Sequence, residues 1–193
     1  MKTFSAYILA GGKSSRMGTD KGLQLLNETP LIAYVIDNLK KVTKDISIIT
    51  SNNDYEIFSL TIVKDLIPNK GPASGIDTAL QHSKENWIFI SSCDMPFIDS
   101  KSILKLFSFA NEHEIIVVQN KEMVEPMFCF YHKNCKNKWR TLLENGTLKL
   151  SEFYTHFDTK YIDAELFLKK NKYIFTNINT SQNLIDVALW MKK

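Results

Sequence analysis

The stretch from Leu9 to Leu23, LAGGKSSRMGTDKGL, gathers the residues of this chain best suited to holding a strong anion. Gly11, Gly12, Gly18 and Gly22 permit positive φ and close backbone approach. Successive N–H groups in such a turn form an anion-binding concavity. Lys13, Arg16 and Lys21 add charge-assisted donors, with Asp20 as the one nearby acid. A triphosphate answers this description. The spacing is not that of a Walker loop, since no glycine stands five residues before the Gly-Lys-Ser at Gly12. Nor is it the dinucleotide fingerprint, since Lys13 occupies the second glycine position after Gly11. The second group of interest is Asp94, at the end of WIFISSCD. A carboxylate there is a hard oxygen ligand, suited to Mg²⁺ that bridges phosphates. Cys93 beside it is paired with no base in the sequence and reads as a small buried hydrophobe. Cys129, His132 and Cys135 are evenly spaced, but three ligands across a strand end, without a fourth, make a poor zinc site.

These groups must be positioned by the elements around them. Phe4 to Ala10 is a short apolar run ending in glycines, which predicts a buried strand. PLIAYVIDNLKKV follows as a helix with Pro30 in its first turn and a stripe of Leu31, Tyr34, Val35, Ile36 and Leu39. ISIITSNN and LTIVKD read as strands, the second ended by the breaker cluster IPNKGP. PASGIDTALQHS is a short helix, and NWIFISSCDMPF an apolar strand stopped by Asp94 and Pro96. DSKSILKLFSFANEH is a helix capped by Asp99 or Ser100. EIIVVQ and PMFCFYH are two further strands, followed by weak helices around 135–145 and 149–156. The last helix, TSQNLIDVALWMKK, is capped by Thr180 or Ser181 and carries lysines at its C-terminal end. Strands alternate with helices through the first two thirds, the pattern of an α/β fold with a mostly parallel sheet and helices on both faces. In such a fold ligands bind beyond the carboxyl ends of the strands at the switch point. The segments after the first strand and after WIFISS can therefore be neighbours, bringing the cationic turn to Asp94.

Composition sets bounds on this reading. The 193 residues fit one domain, with 44% hydrophobic and 23% charged residues and a net charge of +3. That charge is too mild to imply nucleic acid, and no aromatic-basic interleaving appears. Three cysteines form no even framework and read as reduced thiols of a cytoplasmic protein. No signal peptide and no apolar run of transmembrane length is evident, so no membrane partner is expected.

LAGGKSSRMGTDK resembles the L-A-G-G-x-S-x-R-M-G-x-D-K signature of the molybdenum cofactor guanylyltransferases, the MobA family within the nucleotidyltransferase superfamily. VKDLIPNKGPASGI is similar to the family's D…G-P-L-A-G-I stretch, ISSCDMPFI to its C-D-x-P-x-(I/L), and VEPMFCFY to its strand with a proline. FTNINTSQNL is similar to its N-x-N-T-P-x-(D/E)-L ending, with Ser181 where the family usually has proline. The resemblance spans nearly all of residues 4–189. It implies a Rossmann-like three-layer sandwich forming a single nucleotidyltransferase domain over residues 1–193. It implies transfer of GMP from GTP to molybdopterin cofactor with release of pyrophosphate, and Mg²⁺ as cofactor. Molybdenum insertion proteins or apo-molybdoenzymes are the implied protein partners. The resemblance assigns Lys21, Arg16 and Asp94 to catalysis, Asp94 also to the metal. Leu9, Ala10, Gly11, Gly12, Lys21, Asp65 and Asp94 fall to the nucleotide, as does one of Thr50, Asn52 and Asn53, of which Asn52 is favoured. Asn177 and Asn179 fall on the pterin side. The alternatives are another small-phosphate nucleotidyltransferase, cytidylyl-molybdopterin or sugar- and polyol-phosphate, or a non-catalytic carrier of cofactor or nucleotide.

Overall fold

The computed structural model describes residues 3–11, 20–111, 113–121 and 123–190. Strand β1 is Phe4–Leu9. A short hairpin, β2 (Leu25–Leu26) and β3 (Thr29–Pro30), leads into helix α1 (Leu31–Leu39). Strands β4 (Ile46–Ile49) and β5 (Thr61–Val63), helix α2 (Pro72–His82), strand β6 (Trp87–Ser92) and helix α3 (Ser100–Phe107) follow. Next come β7 (Ile115–Asn120), β8 (Met123–His132), α4 (Lys136–Glu144) and α5 (Leu150–Tyr154). The chain then adds β9 (Thr159–Asp163), α6 (Glu165–Leu168) and α7 (Ser181–Trp190).

Seven strands form one sheet in the order β5-β4-β1-β6-β8-β7-β9. The pairs β5–β4, β4–β1, β1–β6 and β7–β9 are parallel; β8 runs antiparallel to both β6 and β7. The expected α/β architecture with a mostly parallel sheet is thus present. α1, α3 and α6 cover one face, packing Ile32, Val35, Ile36, Ile103, Leu106 and Phe167 onto Phe4, Ala6, Ile8 and Phe89. α2, α4 and α5 cover the other, with Ile76, Leu80, Trp139, Leu143 and Phe153 against Tyr7, Ile88 and Ile90. Cover on both faces is why β1 and β6 are buried along nearly their whole length rather than alternating. Among the described residues no helix is long and apolar enough to cross a membrane.

Several local expectations shift. Pro30 is the N-cap residue of α1, with ψ 140°, and stands just outside the helix. Asp99, rather than Ser100, caps α3 by accepting the Ser102 N–H at 2.9 Å. Thr180 caps α7 through Oγ1, which accepts the Asn183 N–H at 3.1 Å. β9 and α6 extend the fold beyond the sequence reading; the alternating polar and apolar residues of TKYID are too few to stand out from a loop.

Candidate active site

β1 and β6 lie side by side in parallel, with Leu9 opposite Ser92, so both strands end at the same level. β4 and β5 run in the same direction beside β1. The four carboxyl ends therefore deliver Gly11, Asn52, Asp65 and Asp94 to one end of the sheet. This is the crevice where the chain order reverses, with β4 on one side of β1 and β6 on the other.

Two groups meet there. Lys21 stands on a short 3₁₀ turn, Lys21–Leu23, and its Nζ lies 3.7 Å from Oδ2 of Asp94. The same Nζ donates a hydrogen bond to Oδ1 of Asn179 at 2.5 Å. Asp94 is nearly buried, and its Oδ1 accepts a hydrogen bond from Ser92 Oγ at 2.6 Å. Its backbone carbonyl accepts the N–H of Ile178 at 2.9 Å, so the segment before α7 is tied to the site. Asn179 thus joins Lys21 and Asp94, while Asn177 is exposed and donates to the carbonyl of Phe175 at 3.4 Å. Gly12 and Arg16 lie outside the described residues.

The remaining candidates occupy the rim. The Leu9 carbonyl accepts the Cys93 N–H at 3.1 Å, and the Ala10 N–H donates to the Ile49 carbonyl at 2.9 Å. Those two groups extend the sheet ladder at the mouth of the crevice. Asp65 lies two residues past β5 and accepts from Ser74 Oγ at 3.4 Å. Its carboxyl is raised above the ordinary aspartate value chiefly by burial, with the Ser74 and Thr78 hydroxyls opposing. Gly71 opens α2 with φ +63° and ψ −154°, a conformation only glycine adopts without strain. The loop from Asp65 can therefore turn sharply into the helix beside the crevice.

Asn52 faces protein. Its Nδ2 donates to Oδ2 of Asp20 at 3.3 Å, and its Oδ1 accepts the Asp54 N–H at 2.9 Å. Asp20 also accepts from the Tyr55 hydroxyl and, at 3.2 Å, from the Gly22 N–H. Tyr55 is fully buried, and the sequence reading overlooked it: it sits in a 3₁₀ segment, Asn53–Phe58, that lacks the periodicity of a helix or strand. A methyl group at Gly22 would collide with the Tyr55 hydroxyl and approach Cys93 Cβ to 2.9 Å. The Lys21 turn therefore presses directly on the residue before Asp94.

Burial, helped by the carboxylates of Asp94 and Asp20, pushes the Cys93 thiol up and keeps it protonated. That excludes a thiolate nucleophile here. Cys129, His132 and Cys135 are engaged separately. The two thiols donate to the carbonyls of Phe130 and Glu114, and the His132 ring accepts the Asn134 N–H.

The arrangement of a cation and a nearly buried carboxylate at the switch point is that of a phosphate-transfer crevice. The model of the MobA-like NTP transferase domain family matches residues 6–158. The chain belongs to this family. It is a nucleotidyltransferase. A Clostridium perfringens relative described as a probable molybdenum cofactor guanylyltransferase is 37% identical over 191 residues, covering 95% of each chain. A Flavobacterium johnsoniae relative with the same description is 31% identical over 190 residues, 98% of each chain. The fold also matches that of molybdopterin-guanine dinucleotide biosynthesis protein A from Archaeoglobus fulgidus, with TM-score 0.83 at 20% identity over 97% of this chain and 98% of that one. The MobA-like match ends at residue 158, whereas Asn179, which holds Lys21, lies beyond it.

Proposed function

We propose that this nucleotidyltransferase transfers GMP from GTP to molybdopterin cofactor, forming the guanine dinucleotide and releasing pyrophosphate. The observation that carries the reading is the approach of Lys21 to Asp94 at the carboxyl end of the parallel strands, in a chain whose full-length relatives bear the guanylyltransferase description. The terminal phosphate of the pterin is already an anion and attacks the α-phosphorus in line, so no protein base is required. Catalysis then rests on positioning and charge stabilisation. Lys21 neutralises charge that builds on the departing pyrophosphate, and Arg16 shares that task in the proposal. Leu9, Ala10, Gly11, Gly12 and Asp65 frame the nucleotide; Asn177 and Asn179 border the acceptor.

The donor set fits Mg²⁺. Asp94 Oδ2 stands beyond hydrogen-bond distance of Lys21 and offers a hard oxygen. Among the described residues no group of three His, Cys, Asp or Glu side chains could hold a metal ion. A single carboxylate with substrate phosphates is the ordinary way such a cation is held. When bound at Asp94, Mg²⁺ supplies charge neutralisation of the phosphate oxygens. The buried, unpaired thiols suit a cytoplasmic setting, and hand-over of the product to molybdenum insertion proteins or apo-molybdoenzymes completes the proposal.

Incubation with each of the four NTPs, Mg²⁺ and molybdopterin tests the reading. Pyrophosphate release and dinucleotide formation with GTP are expected. Turnover with CTP alone would move the protein to the cytidylyl reaction, and turnover only with sugar or polyol phosphates would overturn the acceptor.

A further inference from the structure

The reading of Lys21 as the triphosphate's partner leaves one question open: what keeps its ammonium away from the carboxylate next door in the chain? Asp20 is the immediate neighbour, yet Lys21 points to Asp94 and Asn179. The answer is that Asp20 is already occupied. Its Oδ1 takes the Tyr55 hydroxyl and the Gly22 N–H, and its Oδ2 takes the Asn52 amide. Three donors from three places in the chain converge on one carboxylate, and one of them, Tyr55, is wholly buried. The absent Cβ at Gly22 lets this assembly sit against Cys93, one residue from Asp94.

We propose that Asp20, Asn52 and Tyr55 form a brace that fixes the Lys21 turn relative to Asp94, making all three positioning residues of nucleotidyl transfer, with Asn52 serving Asp20 instead of the nucleotide. The inference rests on the reading of Lys21 given above. It does not depend on which base or which acceptor the enzyme uses. Burial, together with the neighbouring Cys93 and Asp20, raises the Tyr55 hydroxyl far above the ordinary tyrosine value, so it remains a donor throughout the working pH range. The brace also accounts for an acid beside a cationic turn: its charge is spent on three hydrogen bonds before it can quench Lys21.

The hydrogen-bond pattern supplies its own test. Asp20→Asn sets the new amide against the Asn52 amide, donor against donor. Asn52→Asp sets two carboxylates against each other. The double exchange, Asp20→Asn with Asn52→Asp, restores one donor facing one acceptor, while Oδ1 of residue 20 still receives Tyr55 and Gly22. Each single variant is expected to lower kcat/KM roughly tenfold or more, the scale of a lost hydrogen bond to a charged group. The double exchange is expected to recover to within about threefold of the parent, a coupling of the size seen between contacting residues. If Asn52 contacts the nucleotide instead, its carboxylate variant repels the phosphates and the double exchange is no better than the singles; that result overturns the brace. Tyr55→Phe, which keeps the buried ring, is the second arm. A fall in kcat with the melting temperature held within a few degrees supports positioning, and a fall in melting temperature with kcat and KM unchanged overturns it. Titration of each variant with the NTP that the parent binds best gives a readout free of the acceptor. Failure of molybdopterin to accept GMP therefore leaves this test standing, whereas a parent chain that binds none of the four NTPs overturns both.

Discussion

The molecule contains two cation–carboxylate pairs built on opposite plans. On the α2–α4 face, Arg140 grips Asp77 with Nε at 2.9 and 3.0 Å from the two oxygens and Nη2 at 2.5 Å from Oδ2. Asp77 is 0% exposed, and the hydrogen bond to it raises the Arg140 pKa. At the crevice, Lys21 stands 3.7 Å from an Asp94 that retains contact with solvent, and it shares its ammonium with Asn179. The first pair saturates its partners and locks two helices together. The second leaves an oxygen and a cation uncommitted, which is what a site that must receive phosphate and metal requires. Distance and saturation, more than the presence of opposite charges, separate a structural pair from a working one.

Removing one partner from each pair should give opposite results. Arg140→Leu strands the Asp77 carboxylate in the interior and is expected to cost about 3–5 kcal/mol of stability, measured by urea unfolding. A loss below about 1 kcal/mol would remove the structural arm of the contrast. Asp94→Ala and Lys21→Ala are expected to lower kcat by roughly 10²–10³-fold. Their unfolding midpoints should hardly move, because a loosely held, partly exposed pair contributes little, about 0–1 kcal/mol. An Asp94→Ala enzyme with full turnover would sink the working arm.

Alkaline titration sharpens the structural side. Burial, with Asp45 nearby, pushes the Tyr7 hydroxyl up to about 12, where it hydrogen-bonds His82 of α2 at 2.8 Å. A folded-state value above the unfolded one means stability is intact below pH about 10 and declines as pH rises through about 12. The contribution is about 1–2 kcal/mol after discounting for solvent screening. Tyr7→Phe should flatten that stretch of the stability–pH curve; an unchanged slope would assign the loss to other groups. The smallest signal concerns the thiols. Burial is the first cause that raises Cys93, Cys129 and Cys135, so a thiol reagent should label the native protein slowly and all three sites after denaturation. Rapid labelling of Cys93 in the native state would show the crevice to be more open than the Gly22 contact implies.

The contrast also marks what was legible in the sequence. Apolar runs ended by glycine or by Asp-x-Pro located β1 and β6, and those strand ends brought Lys21 and Asp94 together as expected. Asn179 was read as an acceptor-side residue, and the structure gives it Lys21 as partner. What periodicity could not convey was side-chain pairing at long range. Tyr55 and Asp20 are 35 positions apart, and Arg140 and Asp77 are 63 apart. Neither separation leaves a local trace. Asn52 was favoured for the nucleotide because it follows a strand, but its amide is turned to Asp20 by a bond that only three-dimensional proximity reveals. The reversed direction of β8 was equally silent, since a strand's pattern carries no sign of its polarity.

The attachment of α7 has a consequence of its own. Its buried anchor is small, made of Leu26, Leu31, Ile178 and Val187, beside two much larger cores on the faces of the sheet. Regions with few buried apolar contacts open first. Yet this modest anchor holds Asn179 on Lys21 and Ile178 on Asp94. Warming should therefore silence the enzyme while its central sheet is still whole.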